Sequence, residues 1–411
     1  MKRIIRICVL SLAVTLLTNC EAPDQELFSV IPTDVQNSST DPLLTRIAQA
    51  QAYIPLIGTW GGHNSLWSLH EISSDEMVIA QKGADWEDGG QWIRVHRQAY
   101  LPSEQAVNNG WAYCYSAIAT VNNLLRNFGS NESLRAELET VRALIYLWLI
   151  DAYGNVPIIV ETTTDTTPPT AARADVFDFI ESSILNNIDL LNEGTDASKV
   201  NKWVAYSILA KLYINAEVYT GTARWSDAAD AANQIILSGK YSLEPKLSYF
   251  KSFASNNKGA VENIFVINYD AVTGRGFNLP QMTLHYSSQA TFNLQQQPWN
   301  GYASLEEFYN LFDEDDVRRG GFLVGPQFSS TGERLTDISA ESNDPDGEDL
   351  TFTPEINELA PNSLRQAGAR VGKFEFPLGS GPDLSNDFPI FRYSDIILIR
   401  AEALWRQNSG S

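Results

Sequence analysis

Apolar side chains recur three and four residues apart over long stretches of this chain, the spacing that gathers them on one face of a helix. Tyr113, Ala117, Val121, Leu124 and Phe128 mark one such face. Leu134, Leu138, Val141, Ile145, Trp148 and Ala152 mark a second, which ends at Gly154. Val176, Ile180, Ile184, Ile188 and Leu191 mark a third, entered through a Thr/Pro-rich connector at 162–170. Trp203, Ala205, Leu209, Ala210 and Tyr213 follow. After a turn at Thr220-Gly221 comes another face through Trp225, Ala228, Ala232 and Ile235. The last periodic segment is Tyr393, Ile397, Ala401 and Leu404.

From about 242 to 387 the pattern changes. Gly, Pro, Asn and Asp are frequent and apolar runs are short, as in Ile264-Phe265-Val266-Ile267 and Phe374-Glu375-Phe376. This predicts loops with a few strands and short helices laid on a helical scaffold. In the scaffold, small residues alternate with large ones on successive helices, which is how tetratricopeptide hairpins stack. The segment from Tyr393 repeats the first half of such a hairpin, whose second helix would lie beyond residue 411. The expected fold is therefore mostly α: helical hairpins over 105–240 and 390–411, with a loop-rich, strand-poor binding region over 242–387, all in one domain spanning 43–411.

Composition narrows the function. With 44% apolar and 19% charged residues among 411, the chain is neither disordered nor a coiled coil. Its 29 basic and 50 acidic residues give a net charge of −21, without the basic footprint of a nucleic-acid binder. Ten Trp, 16 Tyr and 18 Phe stand against 3 Met and 3 Cys, a balance that favours a planar-faced ligand such as carbohydrate over metal or redox chemistry.

The N-terminus carries an export signature. Lys2, Arg3 and Arg6 precede an apolar run from Ile7 to Leu17 that is too short to span a bilayer, so residues 1–19 read as a signal peptide. Leu17-Thr18-Asn19-Cys20 has the form of a bacterial lipobox, in which the cysteine becomes acylated, although Asn19 stands where a small residue is preferred. The competing reading is a secreted protein cleaved elsewhere. Residues 20–42, rich in acidic residues, Pro, Ser and Thr, suit a flexible tether. Cys8 would leave with the signal and Cys20 would carry lipid. Cys114 then has no partner, no intrachain disulfide is expected, and its thiol reads as a small buried hydrophobe.

Several strings, taken in order, resemble the SusD-like (RagB/SusD) family of glycan-binding lipoproteins. They are Ser74-Asp75-Glu76-Met77, Gly83-Ala84-Asp85-Trp86-Glu87-Asp88-Gly89-Gly90-Gln91-Trp92, Ala152-Tyr153-Gly154-Asn155-Val156-Pro157, Trp299-Asn300-Gly301-Tyr302, Asp316-Val317-Arg318-Arg319, and Phe391-Arg392-Tyr393-Ser394-Asp395-Ile396 followed by Arg400-Ala401-Glu402-Ala403. The resemblance covers essentially the whole chain after the signal. It implies a right-handed tetratricopeptide scaffold bearing a glycan site, display on the outer membrane, and a SusC-like TonB-dependent transporter as partner. Because family members usually continue beyond the Ala-Glu-Ala helix, it also implies a C-terminal truncation.

Sugar recognition pairs aromatic platforms with Asn, Asp and Arg. Three clusters offer that mixture: Trp60 with Asn64; Asp75 with Trp86 and Trp92; and Trp299-Asn300, preceded by Tyr286 and Phe292. The resemblance, which implies aromatics from an early and a mid-chain loop, favours Trp92 and Trp299. Burial in the core is the competing reading for each ring, and Trp148 and Trp203, on helical faces, read as core. Arg370 is a further candidate to bond sugar hydroxyls, a surface arginine being the plainer reading.

No catalytic pattern stands out. Phosphate-loop and Gly-x-Ser-x-Gly motifs are missing, and His63, His70, His96 and His285 lack the helical spacing of zinc sites. Asp344, Asp346, Glu348 and Glu355 have the spacing of a calcium loop, but Asp349 occupies the position that requires Gly. No enzyme activity, cofactor or metal is expected. A tetratricopeptide-type scaffold that binds a protein or peptide is the alternative function.

Overall fold

The computed structural model describes residues 41–339 and 348–409. The signal segment, Cys20, the tether up to residue 40, and Asp344 and Asp346 of the calcium-like spacing lie outside these residues. The first helix, α1 (Pro42–Tyr53), starts where Asp41 accepts the Leu43 N–H at 2.8 Å, so the expected tether stops short of Pro42.

Seven of the helices that follow are α2 (Leu66–Ile72), α3 (Gln91–His96), α4 (Gln105–Phe128), α5 (Glu132–Tyr153), α6 (Arg173–Leu185), α7 (Lys202–Ile214) and α8 (Ala216–Thr220). Next comes α9 (Trp225–Ser238). Asn131 caps α5 by accepting the Leu134 N–H at 3.1 Å, and Asn201 caps α7 by accepting from Trp203 and Val204. α5 is packed between α4 and α6, so every residue from Val141 to Ile150 is buried, including Arg142, whose guanidinium bonds Asn122 and Glu161. Trp148 and Trp203 are buried there as expected, and so is Cys114, whose thiol is pushed up to about 12 by burial.

The loop-rich region holds α10 (Leu279–Thr283), α11 (Ser288–Phe292) and α12 (Glu306–Tyr309). The last helix, α13 (Tyr393–Ser409), packs on α9 and α7 and extends the hairpin stack. Its buried face is Ile396, Ile399 and Ala403, not the expected Ile397 and Ala401. Four consecutive apolar residues, 396–399, fit either register. Packing on α9 and α7 settles which one is taken.

Strands are short and pair in two-stranded antiparallel ladders. β1 (Met77–Ile79) is followed by β2 (Val156–Pro157) and β3 (Thr170–Ala171), which pair with each other; β4 (Asn263–Ile267) then precedes β5 (Tyr302–Ser304), the partner of β1. β6 (Phe322–Leu323), β7 (Gly325–Pro326), β8 (Thr351–Phe352), β9 (Arg370–Val371) and β10 (Phe388–Arg392) complete the set, with pairs β6–β9, β7–β8 and β4–β10. β4 is buried throughout, as its unbroken apolar run predicts. Phe374-Glu375-Phe376 is not a strand: both rings insert into the aromatic core from irregular backbone. One continuous hydrophobic core runs from the helices into the loop region.

Candidate functional site

The β1–β5 ladder positions the site. Ile79 faces Tyr302 across it, which brings the loop after β1 against the Trp299–Gly301 turn, more than two hundred residues away in sequence. Gly301 makes the approach possible, because a Cβ there would fall 2.4 Å from the Trp86 ring. Trp86 in turn donates its indole N–H to the Trp299 carbonyl at 2.7 Å.

Around this contact the rings converge on His63. Its imidazole lies 5.4 Å from Trp86, 5.2 Å from Trp92, 5.7 Å from Trp299 and 5.8 Å from Tyr302, ring centre to ring centre. His63 Nδ1 bonds the Tyr302 hydroxyl at 2.8 Å, and Ser68 bonds the same hydroxyl at 2.7 Å. Burial among these rings lowers the His63 pKa to about 4, so the imidazole is neutral at physiological pH. His63, Trp86 and Trp299 are half-exposed, whereas Tyr302 and Trp92 are buried.

Backbone strain concentrates in the same loops. Asn64, Trp86, Asp88 and Asn300 all hold positive φ, between 39° and 56° for the polar three and 57° for Trp86. A tryptophan in the left-handed region costs roughly 1–3 kcal/mol, which the surrounding packing must offset.

The expected site residues divide into three groups. Trp86 and Trp299 are brought together with faces partly open to solvent, and Asn64 follows His63 in the adjoining turn. A second group lies apart from the cluster. Trp60 packs on Trp148, His70 and a stacked Phe388; Phe292 packs on Phe376; and Asp75 is exposed in the turn before β1.

The third group corrects the sequence reading. Trp92 is only 1% exposed, and its indole N–H donates to Asp88 at 2.7 Å, so it supports the cluster from beneath and offers no face to a ligand. Tyr286 is buried against His285. Arg370 is also 1% exposed. It donates to the carbonyls of Arg365, Ala367 and Gly368 and to the Asn300 side-chain oxygen, with its guanidinium 4.8 Å from the centre of the Phe352 ring. Buried Asn300 donates back to the Arg365 carbonyl at 2.9 Å. The two residues therefore clamp segment 365–370 onto the Trp299 turn and reach no solvent. Sequence reasoning passed over His63 and Tyr302 as site residues, although both lie within strings singled out for their tryptophans.

His285 anchors the other end of this clamp. Its Nε2 bonds Asp337 at 2.9 Å, and Asp337 also accepts from Arg365 at 3.0 Å. Burial outweighs the attraction of Asp337 and lowers the His285 pKa to about 4. The unfolded chain, with an ordinary histidine, takes up a proton that the folded chain refuses. Stability is complete above the unfolded pKa of about 6.5 and is lost as pH falls toward the folded value. Relative to a His285→Asn variant, wild type is expected to lose about 2 kcal/mol between about pH 7 and pH 5 in urea titrations. Parallel pH curves for the two proteins would contradict this.

Similarity to known proteins agrees with the geometry. Residues 38–214 match the SusD-like family described as starch-binding and associating with the outer membrane. The starch-binding protein SusD of Bacteroides thetaiotaomicron is 22% identical, over 86% of this chain and 69% of its own. A SusD superfamily protein of Parabacteroides distasonis superposes with a TM-score of 0.66 at 18% identity, covering 88% of this chain and 75% of that one. The surface glycan-binding protein A of Bacteroides thetaiotaomicron, in complex with laminarihexaose, superposes at 0.64 with 20% identity, covering 89% and 79%. Two of these relatives are named for what they bind, starch in one case and glycan in the other. The ordered sequence strings, the helical scaffold with its small ladders, and these similarities together make the chain similar to the SusD-like family, whose fold it shares.

Proposed function

We propose that this chain binds an oligosaccharide or polysaccharide at the cell surface through the half-exposed rings of His63, Trp86 and Trp299, and passes it unaltered to a SusC-like TonB-dependent transporter. The observation that carries this reading is the convergence of three partly exposed rings on strained loops whose backbone is fixed from behind by Trp92, Asn300 and Arg370. A pyranose presents an apolar C–H face to a ring and hydroxyls to its edge, and Asn64 and Asp88 lie in the same loops as His63 and Trp86. The names of the relatives, starch-binding and laminarihexaose-bound, support the same ligand class. Acylation of Cys20, display on the outer membrane and the action of residues 43–411 as one unit belong to this proposal.

An open platform of few rings should bind in the micromolar to millimolar range, roughly −4 to −8 kcal/mol, weak enough for rapid hand-over. Trp299→Ala removes one stacking face and is expected to cost about 2 kcal/mol, or roughly thirtyfold in Kd, with the melting temperature little changed. Retardation in native gels cast with purified polysaccharides measures this. A wild-type chain that no polysaccharide retards, or a Trp299→Ala variant retarded equally, would overturn the proposal. A peptide-binding scaffold would give the first of those results.

A further inference from the structure

A cavity of about 410 Å³ lies next to the aromatic cluster and is separate from it. Trp67, whose ring packs on Tyr302 at 5.3 Å, lines it, as do Tyr249, Phe250, Phe308, Phe312 and Phe322. Six charged side chains also face it. Three of them have close partners: Arg392 bonds Glu262 at 2.7 Å, Arg318 bonds Asp316 at 2.6 Å, and Asp395 lies 3.9 Å from Lys211.

The other three are Glu71 on α2, Glu76 just before β1, and Lys373. Among the described residues none of their charged groups takes part in a hydrogen bond or an ion pair; they act on one another only through space. Repulsion from Glu76 adds to burial and pushes the Glu71 carboxyl up to about 7, while Lys373 pulls it down. Lys373 is exposed, with its ammonium 4.7 Å from the centre of the Phe253 ring. A carboxylate held partly buried against apolar walls without a partner, as Glu71 is, is costly, and it marks a place where a ligand can supply what the protein does not.

We propose that this cavity binds an organic cation: an ammonium group carried on an apolar-faced ring, with the ammonium near Glu71 and Glu76 and the ring against the phenylalanine walls. The unpaired charges sum to one negative, so an anion would add repulsion and a neutral ring would leave both carboxylates unmet. Aromatic faces attract ammonium groups. The walls already hold three cations in this way, Lys373 and Arg392 over Phe253 and Arg318 over Phe312 at 5.1 Å. An aromatic amine and an amino sugar share this chemistry.

Calorimetric titration at about pH 7.5, where Glu71 is mostly ionised, tryptamine is protonated and an amino sugar is partly so, tests the proposal. Tryptamine is compared with its neutral alcohol analogue, and the trimer of glucosamine with its N-acetylated form. At least one ammonium probe should bind about tenfold tighter than its neutral counterpart, as expected for a charge-assisted contact in a partly desolvated site. The probe that does so identifies the source. Glu71→Gln should abolish the preference. Glu76→Gln, at an exposed position where folding is not at risk, should reduce it about threefold. Trp299→Ala should leave it intact, which separates this site from the glycan platform. Equal binding of both ammonium probes and their neutral forms, or a preference that survives Glu76→Gln in full, overturns the proposal.

Discussion

Trp92→Ala should destabilise the protein by about 3–5 kcal/mol, the cost of emptying a large buried aromatic site that cannot collapse. The ring is 1% exposed, and it touches His63, Trp86 and Tyr302 at once, at 5.2, 6.5 and 6.3 Å. Removing it would leave the Asp88 carboxylate without its indole donor and the three neighbouring rings without a floor. Glycan affinity should fall as well, but only as a consequence of displaced neighbours. Trp92→Phe, which refills most of the volume, should restore most of the stability and most of the binding. Urea titration and glycan titration of the same two variants distinguish support from contact. If Trp92→Ala keeps wild-type stability and loses only the glycan, Trp92 touches the ligand and the packing argument is wrong.

The sequence misplaced this ring for a physical reason. Asp85-Trp86-Glu87-Asp88-Gly89-Gly90 is polar and rich in glycine, which usually marks an exposed loop. Here Gly89 and Gly90 adopt φ of 62° and 75°, and that left-handed turn starts α3 directly after it. α3 then turns Trp92 and Val95 into the core. Arg370 was misjudged for a related reason. Arginine usually reaches water, and the acceptors that bury this one are mainly backbone carbonyls, which have no residue type to give them away. Most of the helices were legible because their periodicity is local, although Tyr113 of the first face is exposed, α6 ends at Leu185 before the expected Ile188 and Leu191, and in α13 a run of four apolar residues left two registers open. Convergence on His63 was not legible, because it depends on a three-residue ladder between segments far apart in sequence.

Arg370→Met should be as damaging as Trp92→Ala, though no atom of Arg370 faces the glycan platform. The guanidinium is the only donor, among the described residues, to the Ala367 and Gly368 carbonyls and to the Asn300 side-chain oxygen. The Arg365 carbonyl would keep Asn300 as a second donor. Three buried acceptors left unmet at about 1–3 kcal/mol each set a cost of about 3–5 kcal/mol once the segment relaxes. Burial lowers the Arg370 pKa to about 9, an effect that Asp337 offsets only in part, so removing the charge returns part of a desolvation penalty. That is why the expected cost lies toward the lower end of the sum over acceptors. Arg370→Lys should recover little, since one ammonium cannot reproduce a planar fork that bonds four oxygens. The clamp also predicts where the damage appears. Amide exchange should accelerate at Asn300 and over residues 365–371 before it does in α4 and α5, whose packing does not involve the clamp. Uniform acceleration across the chain, or a variant of wild-type stability, would show that Arg370 does not hold the Trp299 turn in place.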